Sequence, residues 1–305
     1  MTNVFIDGSA GTTGLKIFDL LAKRPDISLI RLPEELRKDP AARADAINSA
    51  DIVFLCLPDA AAREAVGFIK NKNTAVIDTS TAHRTSDDWE YGFAELSCRR
   101  EKIAASKRIA NPGCHARGFL ALTEPLVMEG IIKPDAALTC FSLTGYSGGG
   151  KKMIAEYEDE NRSIELSSPR QYGLTQTHKH LPEMQKIAGL STSPAFCPIV
   201  ADYFCGMQVT VPLFRKDVKG NIEDIKAIYA EKYNSKIVHF ENCEAGFIAA
   251  NAYAGRDDMA VSVYGNQDRI LLVSTFDNLG KGASGAAIQN MNILLGIDEM
   301  TGLIV

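Results

Sequence analysis

The feature that most constrains the fold is a glycine-rich turn between a strand and a helix at the start of the chain. Residues 2–7 are typical of a strand, and an amphipathic helical pattern follows from Leu15. Between them, glycines recur at every third position, as Gly8, Gly11 and Gly14. The spacing is a variant of the fingerprint in which the backbone approaches a pyrophosphate at a helix N-terminus. It predicts dinucleotide binding, with a tight turn that binds no ligand as the alternative.

The segment after this helix bears on which dinucleotide would bind. A second strand, residues 27–32, completes a strand–helix–strand unit, but no acidic residue closes it to hold a ribose 2′-hydroxyl as in NAD enzymes. Charged residues of both signs lie at and beyond its end: Arg31, Glu34, Glu35, Arg37 and Lys38. The basic ones favour NADP slightly, because they can accept a 2′-phosphate, although such charges more often belong to a solvated loop.

Short apolar strands continue to alternate with helices up to residue 113. Further strands are predicted at residues 50–59, 74–78 and 107–110, and helices at 40–49 and 60–70. Residues 89–96 favour a loop with partial helix. This alternation predicts a Rossmann-type, doubly wound parallel sheet, whose ligands bind beyond the carboxyl ends of the strands.

The remainder of the chain has the character of an α+β domain. A helix at residues 118–128 precedes strands at 136–143, 206–214, 237–240, 261–265 and 269–276. The last two form a hairpin, so a mostly antiparallel sheet is expected. A final apolar helix is expected to fold back on the first domain. We therefore predict an α/β protein with a dinucleotide-binding Rossmann domain from residues 1–113 plus 284–305, and a second domain from 114–283.

A cysteine follows the turn formed by Asn111, Pro112 and Gly113. A helix that starts at or just after this Cys114 would favour its thiolate through free N–H groups and the helix dipole. Cys114 is therefore a candidate nucleophile, the alternative being a small buried residue after a turn. None of the seven cysteines forms a Cys-x-x-Cys pair, so neither a zinc site nor a disulfide framework is indicated. A reducing, cytoplasmic setting is expected.

Two of the five histidines, His178 and His180, are candidate partners for the cysteine. Spaced two apart, they would share one face of an extended segment. Because no third ligand at a suitable spacing is evident, we expect no metal, and an acid/base role for one of them is the simpler hypothesis. Arg84 and the glycine-rich loop after Tyr146 could bind anions, although a surface arginine and a flexible loop explain the same residues.

Charge and hydropathy argue against a nucleic-acid-binding protein, a membrane-spanning protein and a secreted protein. The net charge is −5 and no basic cluster interrupts it, which argues against nucleic-acid binding. The longest apolar runs suit buried strands and are too short to span a bilayer. The N-terminus lacks the charged and apolar regions of a secretory signal.

Four motifs occur in a fixed order between Val4 and about Leu295. They are Gly-x-x-Gly-x-x-Gly, Asn-Pro-Gly-Cys, His-Lys-His-x-Pro-Glu and Asp-Asn-Leu-x-Lys-Gly-Ala-x-Gly. Together they resemble the N-acetyl-γ-glutamyl-phosphate reductase family in its shorter form, a relative of aspartate-semialdehyde dehydrogenase. Where the commonest family form has tyrosine after Asn-Pro-Gly-Cys, this chain has His115, an imidazole of unknown role.

The resemblance implies an NADPH-dependent reductive dephosphorylation of N-acetyl-glutamyl 5-phosphate to the 5-semialdehyde, in arginine biosynthesis. Cys114 would form a thioester and release phosphate, NADPH would reduce it, and His178 or His180 would move protons. The implied cofactor residues are Gly8, Ser9, Ala10, Gly11, Thr12, Thr13, Gly14, Asn278 and Gly280. The implied substrate-binding residues are Arg84, Ser147, Gly148 and Gly149. The implied substrate is a small-molecule acyl phosphate. The resemblance also implies a homodimer or homotetramer, formed through the catalytic and dimerisation domain.

Other functions remain open on the residues alone. Within the same enzyme class, the alternatives are an aspartate-semialdehyde dehydrogenase and an aminoadipyl-phosphate reductase. From other classes, they are a cysteine hydrolase that uses Cys114 and His180, and a nucleotide-binding regulatory protein with an inactive site. Hydride transfer from NADPH would exclude the hydrolase.

Overall fold

The computed structural model describes residues 1–242, 244 and 246–305; Cys243 lies outside them. The chain forms two compact units. The first comprises Met1–Ala94, Cys98–Pro112 and Ala283–Leu303, and the second comprises Glu95–Ser97, Gly113–Gly282 and Ile304–Val305. Among the described helices, none is both long enough and apolar enough to cross a membrane.

Strands and helices alternate through the first third of the chain, and strands are more frequent thereafter. The strands are β1 (Thr2–Asp7), β2 (Ile27–Ile30), β3 (Ile52–Leu55), β4 (Ala75–Asp78), β5 (Glu90–Tyr91), β6 (Arg108–Ala110), β7 (Thr139–Gly145), β8 (Arg170–Gln171), β9 (Ala195–Ala201), β10 (Met207–Phe214), β11 (Val238–Glu241), β12 (Met259–Gly265) and β13 (Arg269–Phe276). The helices are α1 (Thr12–Leu21), α2 (Pro40–Ser49), α3 (Asp59–Gly67), α4 (Arg99–Ala105), α5 (Cys114–Met128), α6 (Gly150–Glu158), α7 (Leu181–Ala188), α8 (Ile222–Lys232) and α9 (Gly285–Leu295).

A parallel sheet with helices on both faces forms the first unit. Its strands lie in the order β2-β1-β3-β4-β6-β5, and each pair is parallel. Val4 packs on one face with side chains of α1, α4 and α9, whereas Phe5 packs on the other with side chains of α2 and α3. Neighbouring residues of one strand thus enter opposite layers. The predicted doubly wound, Rossmann-type sheet is confirmed.

The second unit is built on a mixed, mostly antiparallel sheet in the order β11-β12-β13-β10-β7-β9-β8. Only β11 with β12 and β7 with β9 run parallel among the described pairs. Helix α5 lies against β10 and β13. A Cβ at Gly118 of α5 would collide with Cγ2 of Val209, so this glycine lets the helix approach the sheet closely. The predicted α+β domain is therefore confirmed.

The bounds of some elements differ from the sequence-based prediction. Helix α1 begins at Thr12, three residues before the first apolar position of its pattern. Helix α5 begins at Cys114, four residues before the predicted start. Residues 89–96 contain the short strand β5 and no helix, and α4 follows where none was predicted.

Candidate active site

Cys114 is the first residue of α5, in the second unit. The preceding Gly113 is extended, with φ −72° and ψ 148°, so the helical conformation starts at the cysteine itself. Cys114 is half-buried, whereas the residues from His115 to Leu126 behind it are all buried. The structure thus gives the half-exposed thiol the helix N-terminal position that favours a thiolate.

A wide helical turn, Gly280–Ser284, lies beside the cysteine. A Cβ at Gly282 would lie 3.1 Å from Cβ of Cys114 and 3.0 Å from the carbonyl oxygen of Asp277. A side chain there would therefore press on the cysteine. In the same turn, the fully buried Lys281 pairs with Glu95, with 2.8 Å between Nζ and Oε1. Such π-type turns are frequent at functional sites.

Glu183, in the first turn of α7, connects the cysteine segment to a histidine. Its Oε2 accepts a hydrogen bond of 3.2 Å from the backbone N–H of Gly113, the residue before Cys114. Its Oε1 lies 3.9 Å from Nε2 of His180. Both side chains are buried. The sequence pattern missed Glu183, because an acidic residue after Pro182 is also what a helix N-terminus favours for its dipole.

The two predicted histidines lie together, but in a turn and not in an extended segment. The ring centroids of His178 and His180 are 4.8 Å apart, and Nδ1 of His178 accepts a hydrogen bond of 3.3 Å from the backbone N–H of His180. Burial and the nearby Lys179 lower the pKa of His178. Within the described residues, no group of three or more His, Cys, Asp or Glu side chains could hold a metal ion.

His115 completes a cluster of imidazoles next to the cysteine. Its ring centroid lies 5.5 Å from that of His180 and 5.7 Å from that of His178. Its Nδ1 lies 2.7 Å from Oγ of Ser142, and its Nε2 lies 2.7 Å from the hydroxyl of Tyr172. The sequence provided no signal for Tyr172, which lies just after the two-residue strand β8.

Asn278, predicted at the cofactor, lies in the second unit next to the predicted substrate loop. Its Oδ1 accepts a hydrogen bond of 2.9 Å from the N–H of Gly206, and its Nδ2 donates one of 3.0 Å to Oγ of Ser147. Gly148 lies close by, since a Cβ there would be 3.5 Å from Nδ2 of Asn278. One polar end of this buried amide thus holds the loop that contains Ser147, Gly148 and Gly149, and the other holds the backbone at Gly206.

Gly280, two residues after Asn278, is required to be glycine by the packing around it. A Cβ at Gly280 would collide with the carbonyl oxygen of Arg256. Its N–H donates a hydrogen bond of 3.1 Å to Oδ1 of Asp277. The close approach of two backbone segments therefore requires glycine at this position.

The predicted nucleotide loop lies in the first unit, between β1 and α1. Gly8 has φ +89°, and a Cβ there would collide with the carbonyl oxygen of Cys56; one at Gly14 would lie 2.5 Å from the carbonyl oxygen of Gly8. Gly11 differs, because a Cβ there would meet no protein atom closer than 3.6 Å. Its missing side chain leaves space for a ligand.

The same loop has an unused polar group. Oγ1 of Thr12, at the first turn of α1, is buried and has no hydrogen-bond partner among the described residues. Ser9, Ala10 and Thr13 are half-buried or exposed. The free backbone N–H groups of a helix start attract a phosphate. Loop and hydroxyl together therefore fit a pyrophosphate.

Arg84, predicted to bind substrate, also lies in the first unit. Its Nε donates a hydrogen bond of 2.9 Å to the carbonyl oxygen of Asn111, and one terminal nitrogen donates another of 2.9 Å to the carbonyl oxygen of Thr79. The guanidinium is buried and connects the segments that follow β4 and β6. These bonds give Arg84 a structural role within its unit.

Comparison with known families gives two matches along the chain. The family described as "Semialdehyde dehydrogenase, NAD binding domain" matches residues 3–106, and "Semialdehyde dehydrogenase, dimerisation domain" matches residues 114–278. Among solved structures, aspartate semialdehyde dehydrogenase II from Vibrio cholerae, complexed with ASA, has a TM-score of 0.74 at 17% identity and covers 97% of this chain and 98% of its own. Aspartate semialdehyde dehydrogenase with NADP from Candida albicans has a TM-score of 0.68 at 16% identity, covering 97% and 98%. These two structures share the fold.

Two relatives of higher sequence identity share a name. N-acetyl-gamma-glutamyl-phosphate reductase from Brucella ovis is 44% identical over 305 residues, covering 96% of this chain and 98% of the relative. The protein of that name from Brucella abortus (strain 2308) has the same identity and coverage. The family predicted from the four motifs is thereby confirmed. The chain belongs to the N-acetyl-gamma-glutamyl-phosphate reductase family, within the semialdehyde dehydrogenases, and is an oxidoreductase with a nicotinamide-cofactor domain.

Proposed function

We propose that this chain reduces N-acetyl-glutamyl 5-phosphate to N-acetyl-glutamate 5-semialdehyde with NADPH, in arginine biosynthesis. The proposal rests on the contacts at the start of α5, where Cys114 follows Gly113. One carboxylate oxygen of Glu183 accepts a hydrogen bond from the N–H of Gly113, and the other lies 3.9 Å from Nε2 of His180. The name of the 44% identical relatives supplies the substrate. The cytoplasmic setting stays a prediction.

Cys114 is the proposed nucleophile. Its sulfur would attack the carbonyl carbon of the acyl phosphate, forming a C–S bond, while the C–O bond to phosphate breaks and phosphate leaves with the electron pair. The N-terminal position on α5 supports this role, because the free N–H groups favour negative charge. The half-buried thiol remains accessible to a small substrate.

His180 is the proposed acid/base, with Glu183 as its positioning residue. A carboxylate at 3.9 Å favours a proton on Nε2 of His180. His178 is less suited, since its Nδ1 already accepts a hydrogen bond from the backbone N–H of His180. The two histidines thus have different environments although they are two residues apart.

The glycine loop is the proposed cofactor site, formed by Gly8, Ser9, Ala10, Gly11, Thr12, Thr13 and Gly14. The space at Gly11 and the unpartnered hydroxyl of Thr12 support it. When bound, the nicotinamide cofactor supplies the hydride that reduces the thioester. For Asn278 and Gly280, the proposed part in cofactor binding rests on the family motif, and their contacts support a role in fixing the Ser147 loop.

NADP is the proposed form of the cofactor. Arg31 is the first residue after β2, where an enzyme specific for NAD would have an acidic residue. Its guanidinium lies 4.5 Å from the ring centroid of Phe18 and is exposed. Arg37, by contrast, pairs with Glu34 at 2.8 Å. Arg31 is therefore the better placed cation for a 2′-phosphate.

Replacing Arg31 with alanine tests this assignment. We expect KM for NADPH to rise about 10-fold or more, since a charge-assisted contact to phosphate is lost, and KM for NADH to stay unchanged. Steady-state kinetics with both cofactors measure this. Arg37→Ala is the matched control and should alter neither value. An equal rise for both cofactors would show that Arg31 acts on folding or on the shared part of the cofactor.

The proposed substrate contacts are the loop with Ser147, Gly148 and Gly149, and Arg84. The loop is fixed by Asn278, so its N–H groups are already in place for an anion. Arg84 donates hydrogen bonds to the backbone carbonyls of Asn111 and Thr79, so the loop is the better supported of the two. We propose that residues 1–113 and 284–305 form the NADP-binding domain, and that residues 114–283 form the domain for catalysis and dimerisation.

A homodimer is proposed through the open face of the second sheet. Phe141, Leu271 and Phe214 are 39%, 41% and 57% exposed, on the face opposite to the one that contacts α5. Their strands are β7, β13 and β10, where Phe141 is opposite Thr210 and Leu271 is opposite Pro212. The matching family is described as a dimerisation domain, which supports a second copy as the occupant.

Leu271→Lys tests the dimer. A lysine there would be buried without a partner charge in both copies, so the dissociation constant should rise about 100-fold or more. Sedimentation velocity over a concentration series measures this. Ile164→Lys is the control, because Ile164 is 84% exposed and is not in the sheet. A wild-type mass of one chain, or an unchanged mass in Leu271→Lys, would contradict the proposal.

The reverse reaction tests the proposed activity. N-acetyl-glutamate 5-semialdehyde, phosphate and NADP should give NADPH, detected by its absorbance, with a higher kcat/KM than aspartate semialdehyde. The same assay with NAD compares the cofactors. Preference for aspartate semialdehyde would replace the proposed substrate, and failure to form NADPH from either semialdehyde would favour the cysteine hydrolase.

A further inference from the structure

Strand β8 pairs with only part of β9. The two strands are antiparallel, and the last residue of β8, Gln171, lies opposite Ile199. The N–H of the next residue, Tyr172, donates a hydrogen bond of 3.0 Å to the carbonyl oxygen of Pro198. The chain then leaves the sheet before it reaches the first residues of β9, which begins at Ala195.

The side-chain amide of Gln176 takes the place of a strand residue at Phe196. Its Oε1 accepts a hydrogen bond of 2.8 Å from the N–H of Phe196, and its Nε2 donates one of 2.6 Å to the carbonyl oxygen of the same residue. Continued by three residues, the register of β8 would have placed Leu174 there. Because an amide has the donor and the acceptor of a peptide unit, Gln176 satisfies both backbone groups of Phe196.

The backbone of Gln176 is strained. Its φ is +56°, in the left-handed region that residues other than glycine rarely adopt. Among the described residues, Cys98, with φ +58°, is the only other non-glycine residue with a positive φ. The N–H of Gln176 donates a hydrogen bond of 3.0 Å to the carbonyl oxygen of Gly173. Strain of this kind persists only where surrounding contacts enforce it, and it is frequent at active sites.

Phe196 connects this amide to the histidines of the candidate site. Its ring is 1% exposed, and its centroid lies 5.1 Å from that of His178. Nδ1 of His178 in turn accepts a hydrogen bond of 3.3 Å from the backbone N–H of His180. The amide of Gln176 therefore fixes the residue against which the histidine turn, residues 178–180, packs.

We propose that Gln176 is a positioning residue for the acid/base: its amide docks the histidine turn on β9 and thereby places His180 for proton transfer. The inference deepens the proposed function, since it rests on His180 as the acid/base. The turn is then held on both sides, by Gln176 before it and by Glu183 after it, whose carboxylate lies 3.9 Å from Nε2 of His180. A misplacement of about 1 Å can lower the rate of a catalysed step by about 100-fold.

Two substitutions separate this placement from stability. Gln176→Met keeps the length of the side chain and removes both hydrogen bonds, whereas Gln176→Gly removes them and also relieves the strain of the positive φ. Gln176→Gly should therefore unfold at the higher temperature of the two, measured by circular dichroism. In the reverse assay, kcat should nevertheless fall about 10-fold in both, with KM within about twofold of the wild type. A kcat within about twofold of the wild type in either variant would overturn the proposal.

Chemical modification reports the docking without substrate or cofactor. His180 is 5% exposed, so its reaction with diethyl pyrocarbonate should be slow. In Gln176→Met its rate, located by peptide mass spectrometry at a fixed pH, should rise about 10-fold, because the turn opens locally. His239, on β11 at the opposite edge of the sheet from β8, is the internal reference and should keep its rate. An unchanged rate at His180, or an equal rise at His239, would overturn the docking.

Cys98→Gly is the matched control for glycine at a positive φ. It relieves the same strain at an exposed residue of the first unit, and it removes no amide. It should leave kcat and the modification rate of His180 as in the wild type. A loss of kcat equal to that in Gln176→Gly would assign the effect to the glycine and overturn the role of the amide.

A double variant connects the amide to the acid/base. In a His180→Asn background, Gln176→Met should lower kcat no further, because no imidazole is left to place. A second loss as large as that in the wild-type background would show that Gln176 acts elsewhere. An enzyme that fails in the reverse assay but shows a faster reaction of His180 in Gln176→Met would refute the proposed substrate and leave the docking standing. Normal turnover with an unchanged rate at His180 would do the opposite.

Discussion

Cys114→Ser should lower turnover in the reverse assay by about 1,000-fold or more, as expected when a covalent nucleophile is lost. Serine has nearly the shape of cysteine, but its hydroxyl does not ionise near neutral pH, and the helix N-terminus has no thiolate to favour. Folding should be unaffected, because α5 is buried by its other residues. NADPH binding, measured by fluorescence titration, should stay close to that of the wild type.

The control for this change is Cys98→Ser, at an exposed cysteine of the first unit. It should leave turnover unchanged, which separates a specific nucleophile from a general effect of cysteine removal. Turnover of Cys114→Ser within about 10-fold of the wild type would be too fast for an enzyme that has lost its covalent nucleophile. That result would refute the thioester route.

His180→Asn should lower kcat by about 100- to 10,000-fold, the contribution typical of a general acid/base. Nε2 of His180 lies 3.9 Å from a carboxylate oxygen of Glu183, and this nearby negative charge favours a proton on the ring. His178→Asn should lower kcat by less than about 10-fold, since the asparagine oxygen can replace Nδ1 as acceptor of the His180 N–H. Comparing kcat in the two variants, at saturating substrate and cofactor, measures the difference.

Comparing the two asparagine variants identifies which histidine is the acid/base. Both histidines lie in one turn, and both variants introduce the same residue, so a loss from local disorder would affect them alike. A larger loss in His178→Asn would assign the acid/base role to His178. Equal and small losses would show that proton transfer uses neither imidazole.

The first unit could be predicted from the sequence because its strands are buried on both faces. Residues of Ile52–Leu55 and Ala75–Asp78 are all buried, and such strands are continuous apolar runs in the sequence. Helix α4 was missed since only Ile103 of it is buried, so no apolar stripe marks it. Strand β9 was missed as well; it contains Pro198, which lacks the N–H that a ladder uses.

In the candidate site, too, some residues could be predicted from their own segment of sequence, whereas others are recognised only from their contacts in the folded protein. Cys114 and the His178–His180 segment could be found because turn residues and spacing are local signals. Glu183 and Tyr172 could not, since each is ordinary in its own segment and acquires a role only from a contact with residues near 113–115. Asn278 was found by its motif, but its bonds to Gly206 and Ser147 required the folded second unit.

The burial of α5 has a consequence for how the protein loses activity on heating. The residues from His115 to Leu126 are all buried, so the helix that carries the thiol lacks the exposed surface of a segment that opens locally at low free energy. Cys114 therefore leaves its position only when the core of the second unit itself comes apart. Thermal inactivation and cooperative unfolding of that unit should coincide, and the working temperature range of the enzyme is set by its core.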